Sequence, residues 1–300
     1  MANALEIILI PTLMIVIGYA LKRCGMLKAQ DSTLLSKIVL NVSLPSLVFM
    51  NLSSANITGD MLCLPIIGLS LSFVCMIIAF LFCKARNYSK IKTWTIMIAC
   101  AMMNTGFLGF PITLGVFGNE GFLNAIFFDL STTLIFVIFG MVLVGIFGGD
   151  RKEVIKQAVS FVPLWAVLFA LIFNFFHIQY GYVIESTLNY LGQSTIPLIM
   201  ISLGLTLDFK EIKHSIGDSL FVSLVRLIIA PIIVFFALGA IGFGGLSFKV
   251  AVLEAGMTTA MNALVLSINY DLDTKLMSSV IFTDTIIGLF TLTVLIGFLI

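Results

Sequence analysis

Charged residues are scarce in this sequence. Its 300 residues include 16 Lys and Arg and 15 Asp and Glu, which together make 10% of the chain, whereas 60% of the residues are hydrophobic. Soluble domains carry about 25% charged residues. The composition therefore argues against a soluble domain. The net charge of +1 also provides no strongly basic surface, so we expect no nucleic-acid partner.

Cysteine and histidine are equally sparse. The five cysteines form no CxxC pair, and His177 and His214 are the only histidines. A zinc site or a disulfide framework needs such residues at closer spacing. The GxSxG and HExxH patterns of common hydrolases are absent as well. We therefore expect no structural metal, no organic cofactor and no enzymatic activity.

Long apolar segments separated by short polar gaps dominate the chain. Each is about as long as the 20 residues that a membrane-spanning helix needs. The first lacks both a basic leader and a small-residue cleavage site, so we interpret it as a retained span. Hydropathy predicts an all-α polytopic membrane protein with ten transmembrane helices, at approximately 4–22, 32–52, 61–83, 93–117, 121–147, 158–176, 183–206, 217–241, 247–269 and 275–299.

Basic residues are distributed unevenly between the gaps. Fourteen fall in or beside alternate gaps and only Lys249 falls on the other side. Because basic residues concentrate in cytoplasmic loops, this bias predicts that both termini lie outside the cytoplasm, in a multi-pass protein of the plasma (inner) membrane. The fourteen residues are Lys22, Arg23, Lys28, Lys37, Lys84, Arg86, Lys90, Lys92, Arg151, Lys152, Lys156, Lys210, Lys213 and Lys275.

The two halves of the chain share an ordered series of residues. Pro11 and Pro163 are 152 positions apart, as are Pro45 and Pro197, and Asp129 precedes Asp284 by 155. This predicts a first repeat at 1–148, a cytoplasmic linker at 149–157 and a second repeat at 158–300. A repeat of five spans, an odd number, must cross the membrane in the opposite sense the second time. Such inverted repeats are typical of secondary transporters, whose site lies between the copies.

The fourth predicted span, "AMMNTGFLGFPITLGVFG", contains residues that disfavour a helix. Gly109 and Pro111 weaken it, while Asn104 and Thr105 add hydrogen-bonding groups near mid-bilayer. Irregular backbone at that depth is tolerated only where it is buried in protein or lines a wet cavity. A proline kink with glycines for close packing is the structural alternative.

The ninth span, "AVLEAGMTTAMNALVLSINY", repeats this mixture. Thr258, Thr259 and Asn262 lie at a similar depth, after Gly256. Paired interruptions in corresponding spans indicate a substrate site, because exposed N–H groups suit an anion and freed carbonyls suit a cation. We therefore predict substrate-binding residues at Asn104, Thr105, Gly109, Pro111, Thr258, Thr259 and Asn262.

Four ionisable residues lie deep in predicted spans. They are Asp129, Arg226, Glu254 and Asp284, and each is a functional candidate because charge in a membrane is costly. A structural ion pair is the alternative for any of them. Arg226 could bind a substrate carboxylate in a bidentate manner. Any of the three acids could instead carry a coupling proton.

Four segments carry a family resemblance: "NTGFLGFPITLGVFG", "GQSTIPLIMISLG", "RLIIAP" and "AMNALVLSINY". They resemble the corresponding segments of the auxin efflux carrier family, which includes bacterial organic-acid permeases. The resemblance implies two inverted five-helix halves, a scaffold of spans 1, 2, 6 and 7, and a transport domain of spans 3–5 and 8–10. It also implies crossing interrupted helices four and nine, elevator-type movement of organic anions, and a homodimer.

Two details qualify this resemblance. Members of the family often have a proline in span nine where this chain has Thr258 or Thr259. In addition, "EAGMTTA" is similar to "ETGMQNA" of the related bile acid–sodium symporters, in which the glutamate helps to bind sodium. By that similarity Glu254 is a cation ligand, and its oxygen-bearing companions would be Asn104, Thr105, Ser131 and Thr132.

Together these patterns predict a secondary active transporter of small organic anions. The expected substrates are mono- or dicarboxylates such as malate or malonate, carried by symport with Na⁺ or H⁺ or by uniport. The alternative is an anion channel without alternating access.

Overall fold

The described part of the chain folds mainly into helices. The structure, a computed structural model, describes residues 4–207 and 215–300. In those ranges 84% of the residues are helical and there is no strand. The described α-helices are α1 (Ala4–Arg23), α2 (Asp31–Ile38), α3 (Leu44–Ser53), α4 (Gly59–Ala85), α5 (Lys90–Ala101), α6 (Phe110–Phe147), α7 (Arg151–Val159), α8 (Val162–Phe175), α9 (Tyr182–Gln193), α10 (Thr195–Thr206), α11 (Ile216–Leu224), α12 (Ala230–Ala240), α13 (Gly245–Ala255), α14 (Met261–Asn269) and α15 (Thr274–Leu299).

Six helical runs in the described part of the chain are long and apolar enough to cross a membrane, or seven if the bent pair α7 and α8 forms one span. The six are Leu5–Arg23, Asp31–Ser53, Gly59–Ala85, Thr105–Phe147, Ile216–Ala240 and Thr274–Leu299. The other predicted spans are divided between shorter helices. The polytopic membrane fold is therefore confirmed, whereas the count of ten stays a prediction.

The longest run contains the predicted gap between spans four and five. Helix α6 includes one non-helical residue, Gly118, with φ 66° and ψ −161°. Glycine adopts a positive φ readily because it has no Cβ. The sequence predicts spans at 93–117 and 121–147, so Gly118 lies where the chain is expected to leave one span and enter the next.

Among the described residues, three π-turns interrupt the helices, and each ends two residues before a proline. They are Val39–Ser43, Thr105–Gly109 and Val225–Ile229, which precede Pro45, Pro111 and Pro231. A proline has no N–H, and its ring clashes with the carbonyl four residues earlier. A wider turn relieves that clash, which is why π-turns and prolines occur together.

The chain divides into two compact units. One contains Gly59–Ile155 together with the described parts of Met1–Ile8 and Asp208–Ile300, and the other contains Leu9–Thr58 and Lys156–Leu207. Lys210, Lys213 and His214, which the sequence assigns to a cytoplasmic gap, lie outside the described residues.

In the unit of Leu9–Thr58 and Lys156–Leu207, helix α3 packs against α8 and α9, and α2 packs against α10. Two glycines allow α1 to approach α10 closely. A Cβ on Gly18 would lie 2.2 Å from the carbonyl oxygen of Ile201, and one on Gly204 would lie 2.1 Å from that of Ile15. Small residues are favoured at membrane helix contacts for this reason.

In the other unit, α4 packs against α5 and α6, α11 against α15, and α13 against both α6 and α12. One ion pair joins the start of α5 to the start of α11. Lys92 Nζ lies 2.7 Å from Asp218 Oδ2, and the Tyr88 hydroxyl donates to Asp218 Oδ1 at 2.7 Å. These contacts link a helix from the first half of the chain to one from the second.

Candidate functional site

The first interruption separates α5 from α6. Helix α5 ends at Ala101, Met102 has extended backbone, and Asn104 caps the π-turn Thr105–Gly109 that leads into α6. The carbonyl oxygen of Asn104 accepts from the N–H groups of Leu108 and Gly109 at 3.2 and 3.1 Å. The sequence prediction of a break before Pro111 is therefore confirmed for the backbone.

The second interruption separates α13 from α14. Helix α13 ends at Ala255 and α14 begins at Met261, with Ala260 in extended backbone before it. This segment contains no proline. Span nine is thus broken although it lacks the residue that helps to break span four.

The two interruptions contact each other directly. Met103 and Thr259 form an isolated antiparallel β-bridge. The Asn104 N–H donates to the Thr258 carbonyl at 2.8 Å, and the Ala260 N–H donates to the Met102 carbonyl at 3.0 Å. Backbone groups that both helices leave unpaired are therefore satisfied across the crossing, as buried polar groups require.

Helix ends of both signs meet around this bridge. The C-terminal ends of α5 and α13 carry partial negative charge, and the N-terminal ends of the π-turn and of α14 carry partial positive charge. The first N–H groups of a helix have no partner within it and are suited to an anion. Asn104 lies at one of these N-terminal ends, 3% exposed, and Asn262 lies half-buried at the other.

A cluster of oxygen atoms surrounds the first interruption. The Thr105 hydroxyl donates to Asp129 Oδ1 and lies 3.1 Å from the Thr132 hydroxyl. Asp129 and Thr132 both lie on α6, one turn apart. The structure therefore brings together three of the residues that the sequence predicts as ion-coupling.

An equivalent pair occupies the second interruption. The Thr259 hydroxyl donates to Asp284 Oδ2 at 2.6 Å, and the Thr259 N–H donates to the same atom at 3.2 Å. Ser223 donates to Asp284 Oδ1. Thr105 and Asp129 are 24 positions apart, and Thr259 and Asp284 are 25 apart. Both breaks thus use a threonine with an aspartate from the following long helix, but Asp284 has more donors than Asp129.

Glu254 is buried at the end of α13 against the first interruption. Its Oε1 accepts from the Thr113 hydroxyl at 2.6 Å, while Oε2 is buried without a hydrogen-bond partner among the described residues. A Cβ on Gly109 would lie 2.1 Å from Oε2. The carboxyl group therefore occupies the space that a side chain at position 109 would need.

Arg226 has partners that the sequence does not predict. It is 0% exposed, and Nη2 donates to the carbonyl oxygens of Ala255 and Met257, both at 3.0 Å. Nη1 lies 3.4 Å from the carbonyl oxygen of Cys100 and 3.9 Å from Cys75 Sγ. The guanidinium group is thus directed at backbone of both interruptions. Contact with a substrate carboxylate stays a prediction.

The remaining predicted residues are placed as follows. Pro111 is buried in the first turn of α6. Thr258 is buried, and its hydroxyl lies 3.5 Å from Asn104 Nδ2. Ser131 donates to the Phe128 carbonyl at 2.7 Å and packs against Gly68 on α4, so its hydroxyl proton is used there rather than in the cluster around Thr105.

Two polar residues of the site are missing from the sequence prediction. Thr113 donates to Glu254, and Ser223 donates to Asp284. Each is a polar residue in an apolar run, within three positions of a predicted one: Thr113 follows Pro111, and Ser223 precedes Arg226. A search for polar residues close to the predicted ones, within the same apolar runs, would have identified both.

Comparison with known proteins adds an independent line of evidence. A sequence model of the family described as "Membrane transport protein" matches residues 4–159 and 151–296. An uncharacterized transporter of Methanothermobacter thermautotrophicus is 43% identical over 289 residues, which cover 96% of this chain and 95% of that protein. An uncharacterized transporter of Methanocaldococcus jannaschii is 36% identical over 295 residues, covering 95% of each.

Proposed function

We propose, from the premise that this chain belongs to the membrane transport protein family of the auxin efflux carriers, that it is a secondary active transporter of small organic anions. Its substrates would be mono- or dicarboxylates such as malate or malonate. Transport would be coupled to a cation or would be uniport, and it would proceed by alternating access of the elevator type.

The observation that carries this proposal is the β-bridge between Met103 and Thr259. Two helices that break at the same place give up backbone hydrogen bonds within each helix, and such paired interruptions are typical of the substrate site of a secondary transporter. The helix N-terminal ends beside the bridge offer positive dipole ends and N–H groups to a carboxylate. Asn104 and Asn262 add amide groups that can donate to the same anion.

The architecture that we propose has ten spans in two inverted repeats, 1–148 and 158–300. The matching Thr105–Asp129 and Thr259–Asp284 pairs support a repeat. The two compact units support a separation of spans 1, 2, 6 and 7 from spans 3–5 and 8–10. From the resemblance to the auxin efflux carrier family, we also propose that the protein is a homodimer in the plasma membrane.

Coupling is assigned to the acids beside the first interruption. Glu254 has an oxygen atom without a hydrogen-bond partner among the described residues. Asp129 accepts a hydrogen bond from the Thr105 hydroxyl, which also contacts the Thr132 hydroxyl. Asp284 is a weaker candidate, because three donors already occupy its two oxygen atoms. Sodium and proton coupling both fit this set, so the test must impose each gradient separately.

Uptake into proteoliposomes tests the proposal. A panel of labelled mono- and dicarboxylates is offered with an imposed Na⁺ gradient, an imposed H⁺ gradient or neither. We expect saturable uptake of at least one carboxylate. Asn104→Ala should reduce the rate at least about tenfold, which corresponds to ~1.4 kcal/mol, because it removes the amide group that we propose donates to the carboxylate.

Asn269→Ala is the matched control, because Asn269 is exposed at the end of α14. It should transport like the wild type. If no carboxylate shows saturable uptake that Asn104→Ala reduces, the proposal is wrong. Single-channel currents without saturation would favour an anion channel.

A further inference from the structure

Arg226 contacts both helix interruptions with one side chain. It lies on the π-turn Val225–Ile229, within the helical run of α11 and α12. Its Nη2 bonds to Ala255 and Met257 carbonyls at the end of α13, and its Nη1 reaches the Cys100 carbonyl at the end of α5.

Those helix ends offset part of the charge of this buried guanidinium group. A helix C-terminus carries roughly −0.5 elementary charge. The ends of α5 and α13 are therefore favourable neighbours for a positive charge. No carboxylate lies within ion-pair distance of Arg226 among the described residues. The freed carbonyls of the two breaks are thus its direct hydrogen-bond acceptors, while the buried carboxyl group of Asp284 acts on it electrostatically from beyond contact distance.

The donors of the guanidinium group are almost fully used. Arginine has five N–H donors. The two on Nη2 bond to two carbonyls, and the two on Nη1 face a carbonyl and the Cys75 sulfur. The fifth, on Nε, is buried without a partner in the described part of the chain. A bidentate grip on a substrate carboxylate would require Arg226 to release the helix ends.

We propose that Arg226 is a positioning residue that fastens the ends of α5 and α13 together and so holds the crossing of Met103 with Thr259. It supplies, from one side chain, the donors that both broken helices lack. In this arrangement the anion is bound by the N-terminal ends of the π-turn and of α14. Arg226 contributes no formal positive charge to that binding. The statement about anion binding rests on the proposed function, whereas the role of Arg226 in holding the two helix ends together does not.

Hydrogen–deuterium exchange of the purified protein tests this role without any substrate. Arg226→Lys keeps the positive charge. The planar fork of arginine places donors at carbonyls of both helices, whereas the single ammonium group of lysine cannot reach both. We expect protection to fall at least about tenfold in the peptides that cover 102–108 and 256–262. The two peptides should change together, while peptides of 195–206 should not change.

Arg86→Lys is the matched control, because Arg86 is exposed and lies over the Phe82 ring. Its exchange should equal that of the wild type in both peptides. If Arg226→Lys does not give a monodisperse protein, Arg226→Gln is measured instead, since its amide can donate to one carbonyl pair and is uncharged. Unchanged protection at either interruption, or a uniform rise in exchange over the whole chain, would overturn the proposal.

Transport kinetics separate this role from substrate binding. For a positioning residue, we expect Arg226→Lys to lower the maximal rate at least fivefold with less than a twofold change in KM. A tenfold rise in KM with normal exchange would instead make Arg226 a substrate ligand and overturn the proposal. If the wild type transports no carboxylate, the proposed function fails while the exchange result still decides the role of Arg226.

Discussion

At the scale of single residues, the site depends on which polar atoms have partners. Asp284 accepts three hydrogen bonds, whereas Glu254 keeps one buried oxygen atom without a donor. Burying an unsatisfied polar atom costs about 1–3 kcal/mol. Glu254 is therefore the acid whose surroundings most favour the arrival of a further group, such as a cation or a proton.

Gly109 is required by the position of this carboxyl group. We expect Gly109→Ala to lower the Tm by at least about 4 °C, because its Cβ would lie 2.1 Å from Glu254 Oε2 and overpacking costs about 1–3 kcal/mol. Thermal unfolding in detergent measures the shift. Gly145→Ala is the control in the same helical run, Thr105–Phe147, since nothing lies within 4 Å of its Cβ position.

Gly145→Ala should leave the Tm unchanged or slightly raised, because alanine favours a helix. The effect of Gly109→Ala should also shrink when Glu254 is replaced by Ala, since neighbouring substitutions couple through their contact. Equal Tm values for the two glycine variants would contradict the predicted clash.

At the scale of elements, the two interruptions are built differently. The first has a π-turn and Pro111, and the second has neither. In the second, Thr259 bonds to Asp284 and to the Ala99 carbonyl, and Arg226 binds the carbonyls that precede it. Side-chain hydrogen bonds with other helices thus stabilise the second interruption, whereas a proline helps to break the helix at the first.

A proline introduced into the second break tests this difference. Thr258 contributes its carbonyl to the bridge, whereas the Thr259 N–H donates to Asp284. We therefore expect Thr258→Pro to fold with a Tm within about 3 °C of the wild type. Thr259→Pro should lose that hydrogen bond, worth about 1.5–3 kcal/mol to a charged acceptor, and unfold several degrees lower.

Thermal unfolding of the two variants, compared with Thr258→Ala and Thr259→Ala, provides the measurement. The alanine variants separate the loss of each hydroxyl from the effect of the proline ring. A lower Tm for Thr258→Pro than for Thr259→Pro would show that the second break does not depend on Asp284 as described.

At the scale of the whole molecule, the distribution of basic residues predicts the orientation in the membrane. Cys24, which follows α1, and Ser54, which follows α3, are both exposed and lie on opposite sides of the predicted second span. We expect Cys24 on the cytoplasmic side and Ser54 on the outer side.

Labelling with a membrane-impermeant maleimide tests this orientation in intact cells. One variant keeps only Cys24, and the other has no native cysteine but carries Ser54→Cys. The reagent should label Ser54→Cys in intact cells and Cys24 only after permeabilisation. The reverse result would invert the predicted topology, and equal labelling of both would show that the segment between them does not cross the membrane.

Much of the fold could be predicted from the sequence, because hydropathy and helix-breaking residues act locally. The membrane fold, the family and the break before Pro111 are confirmed. The role of Ser131 could not be predicted, because its direction depends on the contact with Gly68 on another helix. The partners of Arg226 could not be predicted either, since they are backbone atoms that carry no residue-type signal.

The sequence by itself determined that the chain is a polytopic membrane protein and where its helices are weak, since those properties follow from neighbouring residues. Only the tertiary structure decided that the two weak points cross at Met103 and Thr259. It also decided that Arg226 binds both helix ends and that Glu254 keeps an oxygen atom without a partner. These contacts join residues up to 156 positions apart, and packing of whole helices, rather than local preference, brings them together.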